Sequence, residues 1–360
     1  MADQLMPAAR LHGPRDMRIE QIPHPGAPPT GNVLLRVETV GICGSDLHTY
    51  RQGVIGDTRL SSPLVLGHEF AGVVEHIGDD GEGGVPLGGD GQPLREGVRV
   101  AVDPAQSCGH CEWCQRGDPN LCPHIVFCGL WPDQGALRPW MHVPASTCFS
   151  VPSGMDATTA TMLEPLGVAI HAVDLAHLRL GESVAVIGAG PIGLSILRLA
   201  VAGGAGPVFA ADRLPWRVDL AARYGPATAY CTGDTDVVNA IMDATGGRGV
   251  DVAFEAAAGG ESLQQTAEVL APGGRLMAVG IDEDDRFALK HSTLRRKGLT
   301  IRMVRRMKHT YERGIHLVQR GTIDLNALVS HRFPLAGAAE AFALNSEYRD
   351  GAVKVVIDTC

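Results

Sequence analysis

The segment 183–193, SVAVIGAGPIG, constrains the fold more than any other part of the chain. A short run of small and β-branched apolar residues reads as a buried strand. Gly188, Gly190 and Gly193 follow at the spacing GxGxxG, and Pro191 and Ile192 open the next helical pattern. Glycines there permit a tight turn and let a pyrophosphate approach a helix N-terminus, whose free N–H groups attract anions. A lone GxGxxG says little, so the context decides. From about residue 155 short apolar runs alternate with helical patterns. Residues 183–187, 208–211, 250–254 and 275–280 read as strands, and 191–202, 215–224 and 262–270 as helices. Such alternation predicts a parallel sheet covered by helices on both faces.

Asp212 lies nineteen residues beyond Gly193, at the end of the run VFAAD. A carboxylate there suits the adenosine ribose 2′-hydroxyl and repels a 2′-phosphate, so NAD is expected rather than NADP. Arg213 and Arg217 stand close by and are of the type that accepts the extra phosphate, which keeps NADP as the alternative. Arg217 can equally stack on adenine or lie on the helix surface.

Residues 1–150 have another texture, with β-branched runs at 32–37, 71–77, 98–102 and 140–143 separated by Gly and Pro. They read as an all-β unit of short strands. Residues 79–97 hold no periodic apolar pattern and are expected as a long surface loop, a tolerated insertion. From about residue 305 the pattern is mixed again and ends in the strand-like run 353–357.

The most distinctive local feature is Cys108-x2-Cys111-x2-Cys114-x7-Cys122. Four thiolates on a loop bearing Gly109, Gly117 and Pro119 can wrap one Zn²⁺ tetrahedrally and leave no open position, which makes such a site structural. An iron–sulfur cluster and chance clustering are the other readings.

A second set of candidate ligands is dispersed: Cys43 in GICGSD, His68 and Glu69 in LGHEFAG, and Glu164 in LEPLG. One sulfur, one imidazole and two carboxylates form a mixed donor set suited to catalytic zinc, which polarises a hydroxyl and lowers its pKa. The plainer reading of Glu164 is a helix-capping carboxylate. Asp46 can hold a ligand imidazole in one tautomer. Ser45 and His48, two and five residues after Cys43, can pass a proton from the substrate hydroxyl toward solvent.

Composition removes several classes. The formal net charge is −9, which argues against a nucleic-acid partner. The first ten residues lack the blocks of a signal peptide, and no charge-free run is long enough to span a bilayer, so a cytoplasmic protein without a membrane partner is expected. Four of nine cysteines within fifteen residues fit metal in a reducing compartment.

Together the segments GICGSDLH, LGHEFAG, CGHCEWC…C, EPLGVAIHA, VIGAGPIG, HRFPL and AVKVVI run in one order from residue 41 to residue 357. In this the chain resembles the zinc-dependent medium-chain alcohol dehydrogenases, in particular the branch of sorbitol (polyol) and threonine dehydrogenases. The resemblance implies an α/β architecture: a GroES-like β-rich catalytic domain (1–154 and 305–360) and a Rossmann doubly wound parallel-sheet domain (155–304), with the active site in the cleft. It puts Cys43, His68, Glu69 and Glu164 on catalytic-zinc positions, with Glu69 and Glu164 able to trade places with a zinc-bound water. It puts Cys108, Cys111, Cys114 and Cys122 on structural-zinc positions, hence two zinc ions per chain. The cofactor residues it implies are Gly188, Gly190, Pro191, Ile192, Gly193, Asp212, Arg213, Arg217, Val279, Gly280, Ile281 and Arg306. A homodimer or homotetramer is implied as well.

One segment departs from the pattern. Sorbitol dehydrogenases carry an Arg-Tyr pair where this chain reads Arg306-Met307, and threonine dehydrogenases carry Gly-Arg-Glu-Met, of which Arg305 and Met307 match. The expected activity is NAD-dependent oxidation of a small-molecule secondary alcohol, a polyol, cyclitol or sugar, to the ketone. Threonine-type amino-alcohol oxidation is the alternative. A non-catalytic dinucleotide-binding member of the fold and a zinc-free quinone reductase are disfavoured, because every ligand position is filled.

Overall fold

Alternating apolar and amphipathic runs after residue 180 build a single parallel sheet in the computed structural model, which describes residues 4–225 and 227–360. Residues 1–3 of the expected first domain, and Pro226, lie outside the described residues. The strands are β1 (Val184–Ile187), β2 (Val208–Asp212), β3 (Thr228–Cys231), β4 (Val250–Glu255), β5 (Leu270–Ala278) and β6 (Thr300–Met303). Their order in the sheet is β3-β2-β1-β4-β5-β6, all parallel. The order reverses between β1 and β4, and there a doubly wound sheet opens a ligand crevice beyond its strand ends. β1 and β2 are buried along their whole length, as strands covered on both faces must be.

Two sheet strands escape the hydrophobic pattern. β3 (TAYC) and β6 (TIRM) lie at the two edges and are half exposed, so neither forms an apolar run. The helix expected at 262–270 ends at Glu268, and β5 begins at Leu270 rather than 275. Pro272-Gly273-Gly274 reads locally as a turn. A register shift between the pairs Val250–Leu270 and Val252–Arg275 takes up these residues as an irregularity inside the strand.

The other unit runs up to Glu164 and is completed by Tyr311–His316 and Asp324–Cys360, while Pro165–Thr310 and Leu317–Ile323 form the parallel-sheet unit. Its main sheet sets Cys148–Ser150, Arg99–Val102, Glu69–Ile77, Asn32–Gly41, Lys354–Asp358 and Val329–Pro334 side by side, with Trp140–Pro144 also paired to Asn32–Gly41. Leu35, Val37, Phe70, Val100, Leu137 and Phe342 are among its fully buried apolar residues. Burial of each contributes on the order of 1.5–3 kcal/mol.

The N-terminal region is not purely β. Helix Gly44–Gln52 follows Cys43 directly, started by Asp46, whose Oδ2 accepts the Cys43 N–H at 3.0 Å. The 79–97 segment lacks regular structure apart from a bridge between Leu87 and Pro93, as its pattern predicts. It is nevertheless anchored. Leu94 is buried in the core, and a Cβ on Gly89 would run into the Phe149 ring.

Candidate metal centres and dinucleotide loop

Glycine decides where the dispersed ligands can meet. Gly67 (φ +95°) turns the chain just before His68, and Gly41 leaves the space that the Glu69 carboxylate fills. The result is a trio: one ligand atom each from Cys43, His68 and Glu69, all within 4.8 Å of one another. His68 and Glu69 are buried and Cys43 is partly so. His68 Nδ1 lies 3.3 Å from Asp46 Oδ1, and its Nε2 lies 3.4 Å from Ser45 Oγ. Burial alone would depress the His68 pKa, but the charges of Asp46 and Cys43 lift it well above that of a free imidazole. The ring of Phe127 packs against that of His68 with centroids 5.2 Å apart.

Glu164 lies in the first turn of helix Leu163–Ala176 and is not one of the trio. It is buried, and burial pushes its carboxyl up to about 8. His68 opposes that rise, while Glu69 and Asp103 add to it. It therefore sits within electrostatic reach of the trio without sharing its close contact. His48, expected toward solvent, is buried on helix Gly44–Gln52, one turn beyond Ser45.

One residue of this centre escaped sequence reading. The Nζ of Lys354 is buried and donates to Glu69 Oε1 at 2.8 Å, to Oε2 at 2.5 Å and to the Ile42 carbonyl at 3.0 Å. The available signal was a lone lysine inside the apolar strand AVKVVI, where both its neighbours are buried.

The four-cysteine lobe is a second centre. Short helix Glu112–Gln115 and the turn Pro119–Leu121 bring the sulfurs together. Their Sγ separations are 3.5 Å (Cys111–Cys114), 3.6 Å (Cys108–Cys122), 3.8 Å (Cys111–Cys122) and 4.0 Å (Cys108–Cys114). A tetrahedron with Zn–S bonds of ~2.3 Å has edges of roughly 3.8 Å, so the set fits one zinc ion. The distances are far beyond an S–S bond. Hydrogen bonds from the His110 and Cys111 N–H groups help pull the Cys108 thiol down to about 6.

The parallel-sheet unit carries the dinucleotide loop. Gly188 (φ +103°) follows β1, and a Cβ on it would press on the Ala256–Ala257 peptide. One on Gly193 would strike the Gly188 carbonyl. Gly190 faces only the Arg217 guanidinium, so its open side is free for a phosphate. Pro191 begins helix Pro191–Ala202, with Ile192 and Gly193 in its first turn. Asp212 holds the loop: its Oδ2 accepts the Ala189 N–H at 2.8 Å and its Oδ1 the Leu214 N–H at 2.9 Å. Arg217 Nη1 stands 3.9 Å from Asp212 Oδ2, while Arg213 is exposed.

Val279, Gly280 and Ile281 leave the end of β5, and the first two donate N–H bonds to the Glu255 carbonyl at 2.8 and 3.0 Å. Ile281 is about half exposed. Arg306 adopts a left-handed conformation (φ +56°), uncommon for a side chain of this size. Next to it Met307 is buried against Gly167, where a Cβ would stand 2.6 Å from its sulfur.

Comparison with known proteins identifies the family. Residues 29–153 match the alcohol dehydrogenase GroES-like domain and residues 191–320 the zinc-binding dehydrogenase family. Sorbitol dehydrogenase of Bacillus subtilis is 32% identical over 354 residues, covering 98% of this chain and 97% of that protein. L-idonate 5-dehydrogenase of Escherichia coli K-12 superposes with a TM-score of 0.85 at 28% identity, covering 99% and 98% of the two chains. A zinc-binding dehydrogenase of Sinorhizobium meliloti, crystallised with NADP, gives 0.88 at 28% identity over 99% of this chain and 100% of that one. Among the described residues no helix is long and apolar enough to cross a membrane. With these matches along nearly its whole length, the chain belongs to the zinc-dependent medium-chain alcohol dehydrogenases, in their sorbitol dehydrogenase-like branch.

Proposed function

We propose that the protein oxidises a secondary alcohol of the polyol, cyclitol or sugar type to its ketone and passes the hydride to NAD. The observation that carries this reading is the close grouping of Cys43, His68 and Glu69 around one point, with Asp46 behind the imidazole. Cys43, His68 and Glu69, with Glu164 as an alternate carboxylate, are the residues that would hold a catalytic zinc. Cys108, Cys111, Cys114 and Cys122 would hold a structural one. Zinc in the first site supplies Lewis acidity to a bound hydroxyl, and the nicotinamide supplies the hydride acceptor.

The protein's own groups do the rest. Asp46 keeps the proton on His68 Nδ1, leaving Nε2 as the metal-facing nitrogen. Ser45 Oγ, 3.4 Å from that nitrogen, is the nearest hydroxyl to take the substrate proton, and His48 on the next turn receives it. Gly188, Gly190 and Gly193 admit the pyrophosphate, and Pro191 and Ile192 begin the helix that faces it. Asp212 retains lone pairs for the ribose hydroxyl beyond the two it gives to Ala189 and Leu214. Its negative charge selects NAD, and Arg213 and Arg217 flank the same ribose. Val279, Gly280, Ile281 and Arg306 border the cofactor's other end. The relatives named for sorbitol and L-idonate support a polyhydroxylated substrate. We further propose a homodimer or homotetramer working in the reducing cytoplasm, where a four-cysteine lobe holds metal rather than disulfides.

The test is NADH formation by zinc-replete protein with sorbitol, xylitol, galactitol, myo-inositol, glucose and L-threonine, each with NAD and NADP. Turnover of a polyol, cyclitol or sugar with NAD is the expected result. Turnover of threonine alone, or of nothing while NADH still binds, overturns the substrate assignment. Light scattering that finds a monomer overturns the assembly.

A further inference from the structure

Glu255 ends β4 with a carboxylate that is 4% exposed and belongs to neither metal centre. A charge so enclosed is costly unless hydrogen bonds meet it. Its Oε1 accepts the Ala257 N–H at 2.9 Å and the Ala258 N–H at 2.8 Å. The Ser262 hydroxyl stands 2.7 Å from the same oxygen and 2.7 Å from the Gly259 carbonyl. Bonds to an ionised acceptor are the strong ones, so this one side chain ties the turn 256–262 to the strand end. Ala258 needs such a hold, because it is left-handed (φ +54°), where a residue with a Cβ is disfavoured.

The turn lies against two glycines of the cofactor loops. A Cβ on Gly188 would stand 2.5 Å from the Ala257 nitrogen. One on Gly280 would stand 2.7 Å from both the Ala258 nitrogen and Glu255 Oε2. Main-chain bonds close the frame. The Ala256 N–H donates to the Ile187 carbonyl at 2.7 Å, just before Gly188, and the Glu255 carbonyl accepts the Val279 and Gly280 N–H groups. The end of β1, the turn 256–258 and the end of β5 are thus spaced by the main chain and side chain of one residue.

We propose that Glu255 is a positioning residue for the dinucleotide. Its carboxylate holds the turn 256–258 as a spacer between Gly188, on the pyrophosphate side, and Gly280, on the nicotinamide side. This rests on the cofactor reading proposed above and adds a residue to it. A turn already fixed need not be ordered when the cofactor binds, and the avoided loss of freedom appears as affinity.

The experiment measures binding of NADH and of 5′-AMP to the zinc-replete protein by calorimetry, so no turnover intervenes. 5′-AMP fills only the Asp212 side and reports whether the unit is intact. Glu255→Ala is expected to weaken NADH about 30-fold, the scale of losing bonds to a charged acceptor, and 5′-AMP by less than about 3-fold. Glu255→Gln keeps an accepting oxygen and should bring NADH to within about 5-fold of wild type. NADH affinity unchanged in Glu255→Ala, equal weakening of both ligands, or Glu255→Gln as weak as Glu255→Ala would each overturn the proposal. If Glu255→Ala does not fold, Ser262→Ala removes one of the bonds and should weaken NADH about 5-fold with 5′-AMP unchanged. Unchanged NADH affinity in that variant refutes the proposal. Failure of the broader reading shows separately. Wild type that binds no NADH removes the cofactor and this proposal with it, whereas wild type that binds NADH but turns over no alcohol removes only the oxidation.

Discussion

Lys354 and Glu69 form a buried ion pair in which one ammonium meets both carboxylate oxygens, at 2.8 and 2.5 Å. Both side chains are at most 3% exposed. Neither charge has water to fall back on, so removing one partner strands the other. Lys354→Met is expected to cost about 3–5 kcal/mol of folding stability in urea titrations. Adding Glu69→Gln should recover part of the loss, because the stranded charge is then gone. If the double variant is no more stable than Lys354→Met, the pair is not coupled as the distances indicate.

The two metal centres should separate by mutation. Cys43→Ala is expected to lower kcat/KM at least about 100-fold, to cost one zinc equivalent and to leave the melting temperature close to wild type. Cys111→Ser should also cost one equivalent, but with a several-degree drop in melting temperature and new protease cleavage near residues 108–122. Metal analysis with differential scanning fluorimetry reads both. Full activity in Cys43→Ala would show that the catalytic metal lies elsewhere.

The proposed preference for NAD rests on Asp212. Asp212→Asn removes the negative charge near the ribose while keeping one amide oxygen for a loop N–H. The ratio of kcat/KM for NADP to that for NAD should rise about tenfold. An unchanged ratio would assign the selection to Arg213 and Arg217 instead.

Cys148 predicts alkaline sensitivity. Burial pushes its thiol from 9.0 up to about 12. The folded chain therefore holds this proton where the unfolded chain has lost it. The stability contribution is complete below about pH 9 and declines as pH rises toward 12, by up to about 4 kcal/mol. Melting temperatures measured from pH 8 to pH 10.5 should fall less steeply in Cys148→Ala than in wild type. Parallel slopes would show that other groups set the decline.

Much of this architecture could be read from residues alone, for identifiable reasons. β1 and β2 are buried on both faces, so their apolar runs stand out, and Gly188 and Gly193 after β1 are required by contacts that any Cβ would violate. The cysteine lobe announces itself because its ligands are near neighbours in the chain. The unreadable parts depend on distance or on edges. β3 and β6 are half exposed and lack a hydrophobic signature. Lys354 meets Glu69 across 285 positions, and no local pattern records such a contact.

The strand Lys354–Asp358 beside Asn32–Gly41 has a consequence for biosynthesis. Cys43, His68 and Glu69 leave the ribosome well before the lysine that neutralises Glu69, which is made 285 residues after it. Until that strand is made, the 39–41 end of the long strand is paired on one side only, by Glu69–Ala71, and Glu69 lacks its cation. The parallel-sheet segment, encoded in between, can complete its own hydrogen-bond ladder first. The surroundings of the metal-ligand trio are therefore completed only after the whole parallel-sheet segment has been made, which couples their maturation to synthesis of a distant strand.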